Sequence, residues 1–278
     1  KTLNIKKVGH TGTLDPDAEG VLPVCIGQAT KLADYIMAER KSYTAEITFG
    51  AETTTQDASG DIIKEYEYTF DENRLREVID TFKGEQTQVP PMYSAIKING
   101  KKLYEIAREG KEIERKARKI TVYDIRIAEI NPPNKAIIEI DCSKGTYIRS
   151  LCSDIGNKLG WGAFMSSLTR TASGKFKLNE AVKLDELKNA AERGEAEKFI
   201  IPPDDVLSGY KRVTVSEKAD KYLYNGGKIQ EKYFTKQPEA LQEDEIAAVY
   251  DFENHLVGLY TLKKEETNFY IKPFKMLV

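Results

Sequence analysis

The chain is poor in the residues that build metal and redox centres. Its 278 residues include only three cysteines, two histidines and one tryptophan. Cys25, Cys142 and Cys152 show neither zinc-ligand nor redox spacing. An odd count without a disulfide framework points to a reducing compartment, so a cytoplasmic protein is expected. Neither His10 nor His255 reads as part of a Cys/His/Asp ligand cluster, so no metal site is expected. No apolar run approaches the roughly 20 residues of a membrane-spanning helix, and no signal peptide is visible, so no membrane association is expected. A strong charge of one sign is missing too: 42 Lys and Arg against 44 Asp and Glu leave a net charge of −2, which by itself announces no nucleic-acid partner.

What is present is an ordinary globular composition, 40% hydrophobic and 31% charged, in a length that suits one large domain and a small one. Charge is unevenly distributed. Ser94–Lys119 holds nine Lys or Arg against four Glu, while Asp185–Asp205 holds seven acids against three bases. Val21–Ile26 reads as a buried strand and Ala29–Arg40 as a helix. Lys41–Phe49 alternates, with Tyr43, Ala45, Ile47 and Phe49 on one face. Ala51–Gly60 reads as a loop. Asp71 is placed to cap a helix bearing Leu75, Val78, Ile79 and Phe82 at helical spacing. Ile120–Ile130 and Lys135–Cys142 read as paired strands about an Asn-Pro-Pro-Asn turn, and Thr146 as the cap of a helix carrying Ile148, Leu151, Ile155 and Leu159. From about Arg212 the pattern turns to short strands, which predicts a small β-rich second domain.

Four segments could carry chemistry. Val8–Pro16 brings two glycines to a turn that ends in Asp15-Pro16, and the proline biases Asp15 toward an extended backbone. A phosphate loop is ruled out there, because the Gly-Lys-Ser/Thr ending is missing. In Cys142–Arg149 the arginine falls in the first turn of a helix. The dipole disfavours a cation at that end, so either a carboxylate partner compensates it or Arg149 lies in solvent. In Lys41-Ser42-Tyr43 the tyrosine, on spacing alone, reads as core rather than site. In Ser94–Lys119 basic residues interleave with Tyr93 and Tyr104, a pattern suited to phosphate contact and base stacking but also to a solvated surface.

In order and spacing, "VGHTGTLDP…EGVLPVCIGQATKL", "KSYTAEITFGAETTTQDASG", "VPPMYSAIKINGKKLYEIAREG" and "CSKGTYIRSLCSDIG" resemble the successive motifs of TruB-type tRNA pseudouridine-55 synthases, over roughly residues 6–175. The resemblance implies an α+β fold. A mixed, largely antiparallel sheet flanked by helices would occupy residues 1–209, with an RNA-binding insertion at 94–119, and a PUA-like module residues 210–278. It implies isomerisation of a uridine in the TΨC loop of tRNA, with Asp15 as the catalytic carboxylate, Tyr43 stacked on the target base and Arg149 paired with Asp15. It further implies substrate contacts from His10, Lys31, Asp57, Tyr147 and Leu168. The basic insertion adds Lys97, Lys101, Lys102 and Arg108 as tRNA contacts.

The reaction breaks C1′–N1, turns the uracil and joins C5 to C1′, so no redox step and no cofactor are expected. Asp15 must be ionised, as nucleophile at C1′ or base at C2′, and a nearby guanidinium favours that form. The insertion Met92–Gly110, whose counterpart the guided enzymes lack, favours a stand-alone enzyme over a guide-RNA-dependent one, and a monomer is expected; a catalytically idle tRNA-folding protein is the other alternative. The chain opens at Lys1 without the family's Lys-Pro-x-Gly-x-Thr/Ser motif, so a further strand and helix, roughly 25–35 residues at ordinary element lengths, are expected upstream.

Overall fold

The alternation of Lys41–Phe49 is realised as a nine-residue strand whose odd positions are all buried. β-Branched and aromatic side chains on one face give a strand a surface that must be covered, and this one becomes a central member of a seven-stranded sheet. The computed structural model describes residues 3–98, 100–236, 242–265 and 268–278. These divide into two compact units: 12–23 with 35–181, and the described residues to Thr11 with 24–34 and 182–278. The sequence-based boundary near residue 210 falls inside the segment from 182 onward.

In the first unit the sheet runs Phe176–Lys177, Ala163–Ser173, Lys41–Phe49, Lys135–Cys142, Arg118–Asn131 and Gly84–Gln88, antiparallel throughout. Glu19–Gly20 adds a parallel pairing, against Thr169 and Arg170. Helices Glu72–Asp80 and Ile148–Leu159 contribute Leu75, Ile79, Leu151, Ile155 and Leu159 to the same core as Ile47, Ile138 and Ile140, all at 2% exposure or less. Each such side chain contributes roughly 1.5–3 kcal/mol by leaving water. Asp71 caps its helix as expected, with Oδ1 accepting from Arg74 N at 3.1 Å. The second unit holds a six-stranded sheet in the order Ile229–Gln230, Asn268–Met276, Leu256–Glu265, Ile246–Tyr250, Lys211–Val215 and Phe234–Lys236. Its β-rich make-up accords with a PUA-like module.

Several expectations are corrected. Val21–Ile26 is not one buried strand: only Val24–Ile26 pairs, with Val8–His10, and Val24 is 53% exposed. Pro23, lacking an N–H, interrupts the run. The helix expected over Ala29–Arg40 is split into a 3-10 turn, Gly27–Leu32, and a short α-helix, Ala33–Ala38. The hydroxyl of Thr30 bonds back to the Gly27 carbonyl in that tight turn. The loop expected at Ala51–Gly60 begins as a strand, Ala51–Thr53, paired with Ile62–Glu65. Thr146 is not a helix cap: its hydroxyl donates to the Ser143 carbonyl, and the cap position falls to Tyr147.

Candidate active site

The aspartate loop, Gly12 to Val21, is under tight backbone control and meets the sheet at Glu19–Gly20. Gly12 and Gly20 adopt φ of +121° and +113°, conformations that L side chains rarely adopt. At Gly20 a Cβ would stand 2.2 Å from the Arg170 carbonyl oxygen, so only glycine lets the two chains meet. Val21 N then donates to that same carbonyl at 2.9 Å. Between these points Ala18 N donates to the Asp15 carbonyl at 3.0 Å, closing a turn behind Asp15-Pro16, and Ala18 packs on the core. Leu14, directly before Asp15, is half-buried. The turn leaves the Asp15 side chain 38% exposed, reachable from solvent yet fixed at its base.

Arg149 enters from the first turn of the helix Ile148–Leu159 and is 4% exposed, which removes the surface reading. Its Nη2 donates to Asp15 Oδ1 at 3.0 Å and its Nε lies 2.9 Å from Oδ2 as a charge contact, so the guanidinium faces both carboxylate oxygens. Nη1 donates to the Thr55 carbonyl at 3.1 Å and approaches Asp57 Oδ2 at 3.4 Å, while Nη2 also donates to the Tyr93 carbonyl at 2.9 Å. A guanidinium held this deep and near a helix N-terminus would cost several kcal/mol alone, and two carboxylates with two carbonyls offset that cost. Asp57 is oriented in turn by Thr55 Oγ1 at 2.6 Å and by Ser59 N at 3.0 Å. Tyr147, just before the helix that carries Arg149, is clasped by Gln88. Its N–H donates to Gln88 Oε1 at 2.8 Å and its carbonyl accepts from Nε2 at 3.0 Å.

Tyr43 and Leu168 lie on neighbouring strands and on one face of the sheet. Arg170 stands opposite Tyr43 and Leu168 opposite Ala45. Both Tyr43 and Leu168 are 8% exposed, so together they form an apolar patch at the edge of the core. Burial pushes the Tyr43 phenol up to about 12, an effect that the Arg170 guanidinium opposes and the Asp15 carboxylate reinforces. Tyr43 is therefore a neutral ring at physiological pH, suited to stacking.

The remaining sequence-derived candidates are distributed differently. Lys97 lies on the short strand Lys97–Ile98, paired with Lys101–Lys102, and the helix Leu103–Arg108 follows. Leu103 and Ile106 bury that helix's inner face. Lys101 pairs with Glu109 at 3.4 Å, and Lys102 and Arg108 both lie over the Tyr104 ring, at 5.2 and 5.4 Å. His10 and Lys31 fall in the other unit: His10 is exposed on Val8–His10, and the Lys31 ammonium donates to the Val278 carbonyl at 3.2 Å. His255 corrects one expectation. It gathers with Asp251 and Glu253, their ligand-type atoms within 4.8 Å of one another. The spacing Asp-x-Glu-x-His was visible in the sequence, but both Asp251 oxygens already accept hydrogen bonds, from Tyr224 and from His255. Sequence reasoning missed Gln88 and Arg170, because buried polar residues inside strands leave no periodic signal.

Residues 1–148 match the TruB family pseudouridylate synthase (N terminal domain), and residues 149–208 match the tRNA pseudouridylate synthase B C-terminal domain. The whole chain is 45% identical, over 281 residues and 92% of that protein, to tRNA pseudouridine synthase B of Clostridioides difficile (strain 630). It is 46% identical, over 278 residues and 91% of that protein, to tRNA pseudouridine synthase B of Alkaliphilus oremlandii (strain OhILAs). In three dimensions all of it resembles a chain of a Cbf5-Nop10-Gar1 complex, with TM-score 0.75, 27% identity and 78% of that chain covered. The mixed sheet, with an aspartate loop clamped by a buried arginine, thus defines a pseudouridine synthase, an isomerase that acts on uridine in RNA. Within that class the chain belongs to the TruB family.

Proposed function

We propose that the protein converts uridine 55, in the TΨC loop of tRNA, to pseudouridine, as a stand-alone cytoplasmic monomer that needs neither guide RNA nor cofactor. The observation that carries the reading is the Asp15 carboxylate, open to solvent on one side and faced by the Arg149 guanidinium at 2.9 and 3.0 Å on the other. The target uridine flips out of the RNA loop, which costs a few kcal/mol of unstacking. Contact of the base with Tyr43 and Leu168 recovers part of that. Asp15, ionised, attacks C1′ or removes the C2′ proton. N1–C1′ breaks with its electron pair left on the uracil, which turns within a pocket that excludes water; C5 bonds to C1′ as Asp15 departs from C1′ or returns the proton to C2′, and the C5 proton is lost while N1 takes one up. Electrons balance without an oxidant or a reductant. Arg149 fixes the orientation of the Asp15 carboxylate, Asp57 orients Arg149, and His10, Lys31 and Tyr147 contact the substrate. Three readouts on unmodified transcript, with guide RNA, without it and with Asp15→Asn, separate a stand-alone enzyme from a guided one and from an idle tRNA-folding protein. Pseudouridine at position 55 without guide is the expected outcome; a requirement for guide RNA or the absence of any product would remove the reading.

The basic insertion supplies electrostatic attraction for the RNA. Replacing Lys97, Lys101, Lys102 and Arg108 with Ala is expected to weaken tRNA binding and to lower the slope of log K against log salt by at most ~0.7–0.9 for each phosphate that is no longer neutralised. Because Lys101 already pairs with Glu109 and two of these cations lie over Tyr104, the total change should fall short of four phosphates. Single-turnover rates at saturating enzyme should stay within a few-fold. Binding titrations across salt check this; an unchanged slope returns the stretch to plain solvated surface.

Chelator is expected to leave turnover intact on tRNA already folded in monovalent salt. Recovery of a lost activity by stoichiometric zinc would contradict that.

A further inference from the structure

Arg170 is among the largest fully buried side chains of the protein, at 2% exposure, and no carboxylate among the described residues forms an ion pair with it. Its Nε donates to the Val21 carbonyl at 2.7 Å, and its Nη2 is buried without a hydrogen-bond partner. A cationic neighbour, Lys41, is also buried, at 6% exposure, with Nζ donating to the Met37 and Glu39 carbonyls at 3.0 and 3.2 Å. Burial and the charge of Arg170 both hold the Lys41 ammonium below its ordinary value. Packing alone does not account for such an arrangement. A buried guanidinium without a counter-charge is costly, and an unbranched apolar side chain would fill the same space without that cost.

What Arg170 touches is the loop that carries Asp15. At the far end it grips Val21 twice, through its own carbonyl and through Nε, and Gly20 lies directly on its backbone. At the near end a Cβ on Gly12 would stand 3.8 Å from its Nη1. Across the sheet it stands in register with Tyr43, whose phenol its charge acts upon. Arg170 therefore bonds the Val21 end of the loop through backbone and side chain, and its guanidinium lies near Gly12 and beside the Tyr43 ring. We propose that Arg170 is a positioning residue for the reaction: it fixes the loop that presents Asp15 and sets that carboxylate against Tyr43, without touching the substrate itself. This rests on the reading of Asp15 as the catalytic carboxylate.

The test compares Arg170→Met, Arg170→Lys and Arg170→Gln with Asp15→Asn in single-turnover kinetics, tRNA binding, thermal unfolding and amide hydrogen exchange. For Arg170→Met the rate should fall on the order of 100-fold, the cost of a displacement of about 1 Å in a reacting group, with tRNA affinity within two-fold. Its Tm should be unchanged or raised, because a buried uncompensated charge is gone, while exchange speeds up selectively in Gly12–Val21. Arg170→Lys, which keeps the charge and one donor, should recover about a tenth or more of the rate. A wild-type rate in folded Arg170→Met overturns the proposal. So does a loss of rate that follows a fall in Tm equally in the Met and Lys variants, which is the signature of a merely structural residue. Should Arg170→Met fail to fold, the Gln variant decides: a lower rate at unchanged affinity and Tm supports positioning, and an unchanged rate overturns it. The two readings fail separately. Full turnover in Asp15→Asn removes the catalytic assignment, whereas a dead Asp15→Asn beside a fully active Arg170→Met removes only the role of Arg170.

Discussion

Asp15→Asn is expected to abolish pseudouridine formation, by about 10⁴-fold or more in single-turnover rate, while tRNA affinity stays within a few-fold. The size follows from the role: a group that acts as nucleophile or base cannot be replaced by an amide, which has neither the charge nor the basicity, and losses of this order are usual when such a group is removed. The geometry explains why binding survives. Asparagine has nearly the same volume, can keep the turn closed by the Ala18 N–H, and can still accept from Arg149 Nη2. Arg149 also keeps Asp57 and the two carbonyls of Thr55 and Tyr93. Quench assays with purified variant check the rate, and filter binding checks the affinity. Turnover within ten-fold of the parent would sink the assignment of Asp15.

Arg149→Met is expected to damage both stability and rate. It leaves Asp15 and Asp57 without their shared cation and the Thr55 and Tyr93 carbonyls without their donor. Breaking a buried ion pair from one side costs about 3–5 kcal/mol. Asp15 is more than a third exposed and water screens it, so about 3 kcal/mol is the appropriate end of that range. At roughly 2–4 °C per kcal/mol for a domain of this size, Tm should fall by about 6–12 °C. The rate should fall by ~100-fold or more, because Asp15 no longer has the partner that fixes its carboxylate. Arg149→Lys keeps the charge but not the planar fork, so it should recover part of the stability and little of the rate. Calorimetry and single-turnover kinetics measure the two effects. A Met variant with parental Tm and rate would show that the Arg149 network is idle.

The parts of this architecture that rest on periodicity were legible in the sequence. Lys41–Phe49 alternates without a break and is a strand over those same residues, and the spacing of Leu75 and Ile79 behind Asp71 is a capped helix. Arg149 was legible in a different way. A cation in the first turn of a helix asks for a compensating anion, and Asp15 and Asp57 are found there. What could not be read was decided by tertiary contact. Thr146 has the chemistry of a cap, yet its hydroxyl is taken by Ser143, and Gln88, 59 residues away, bonds the Tyr147 backbone instead. Arg170 gave no signal at all, because a buried arginine in a strand is recognisable only once Val21, Gly12 and Tyr43 are brought to it. The Val21–Ile26 stretch has the apolar run of a buried strand, but Pro23 denies it a donor in its middle and only Val24–Ile26 pairs.

Release of label from C5 of uridine in an unmodified tRNA transcript reports the isomerisation itself. Joining C5 to C1′ must expel the hydrogen from C5, so each conversion frees one label whatever the role of Asp15 at C1′ or C2′. The protein alone, without guide RNA, is expected to release one equivalent per tRNA, with the new base mapping to position 55, and a transcript in which that uridine is replaced by cytidine should release none. Release from several uridines, release that survives the cytidine replacement, or no release without a guide RNA would contradict a stand-alone synthase acting at that position.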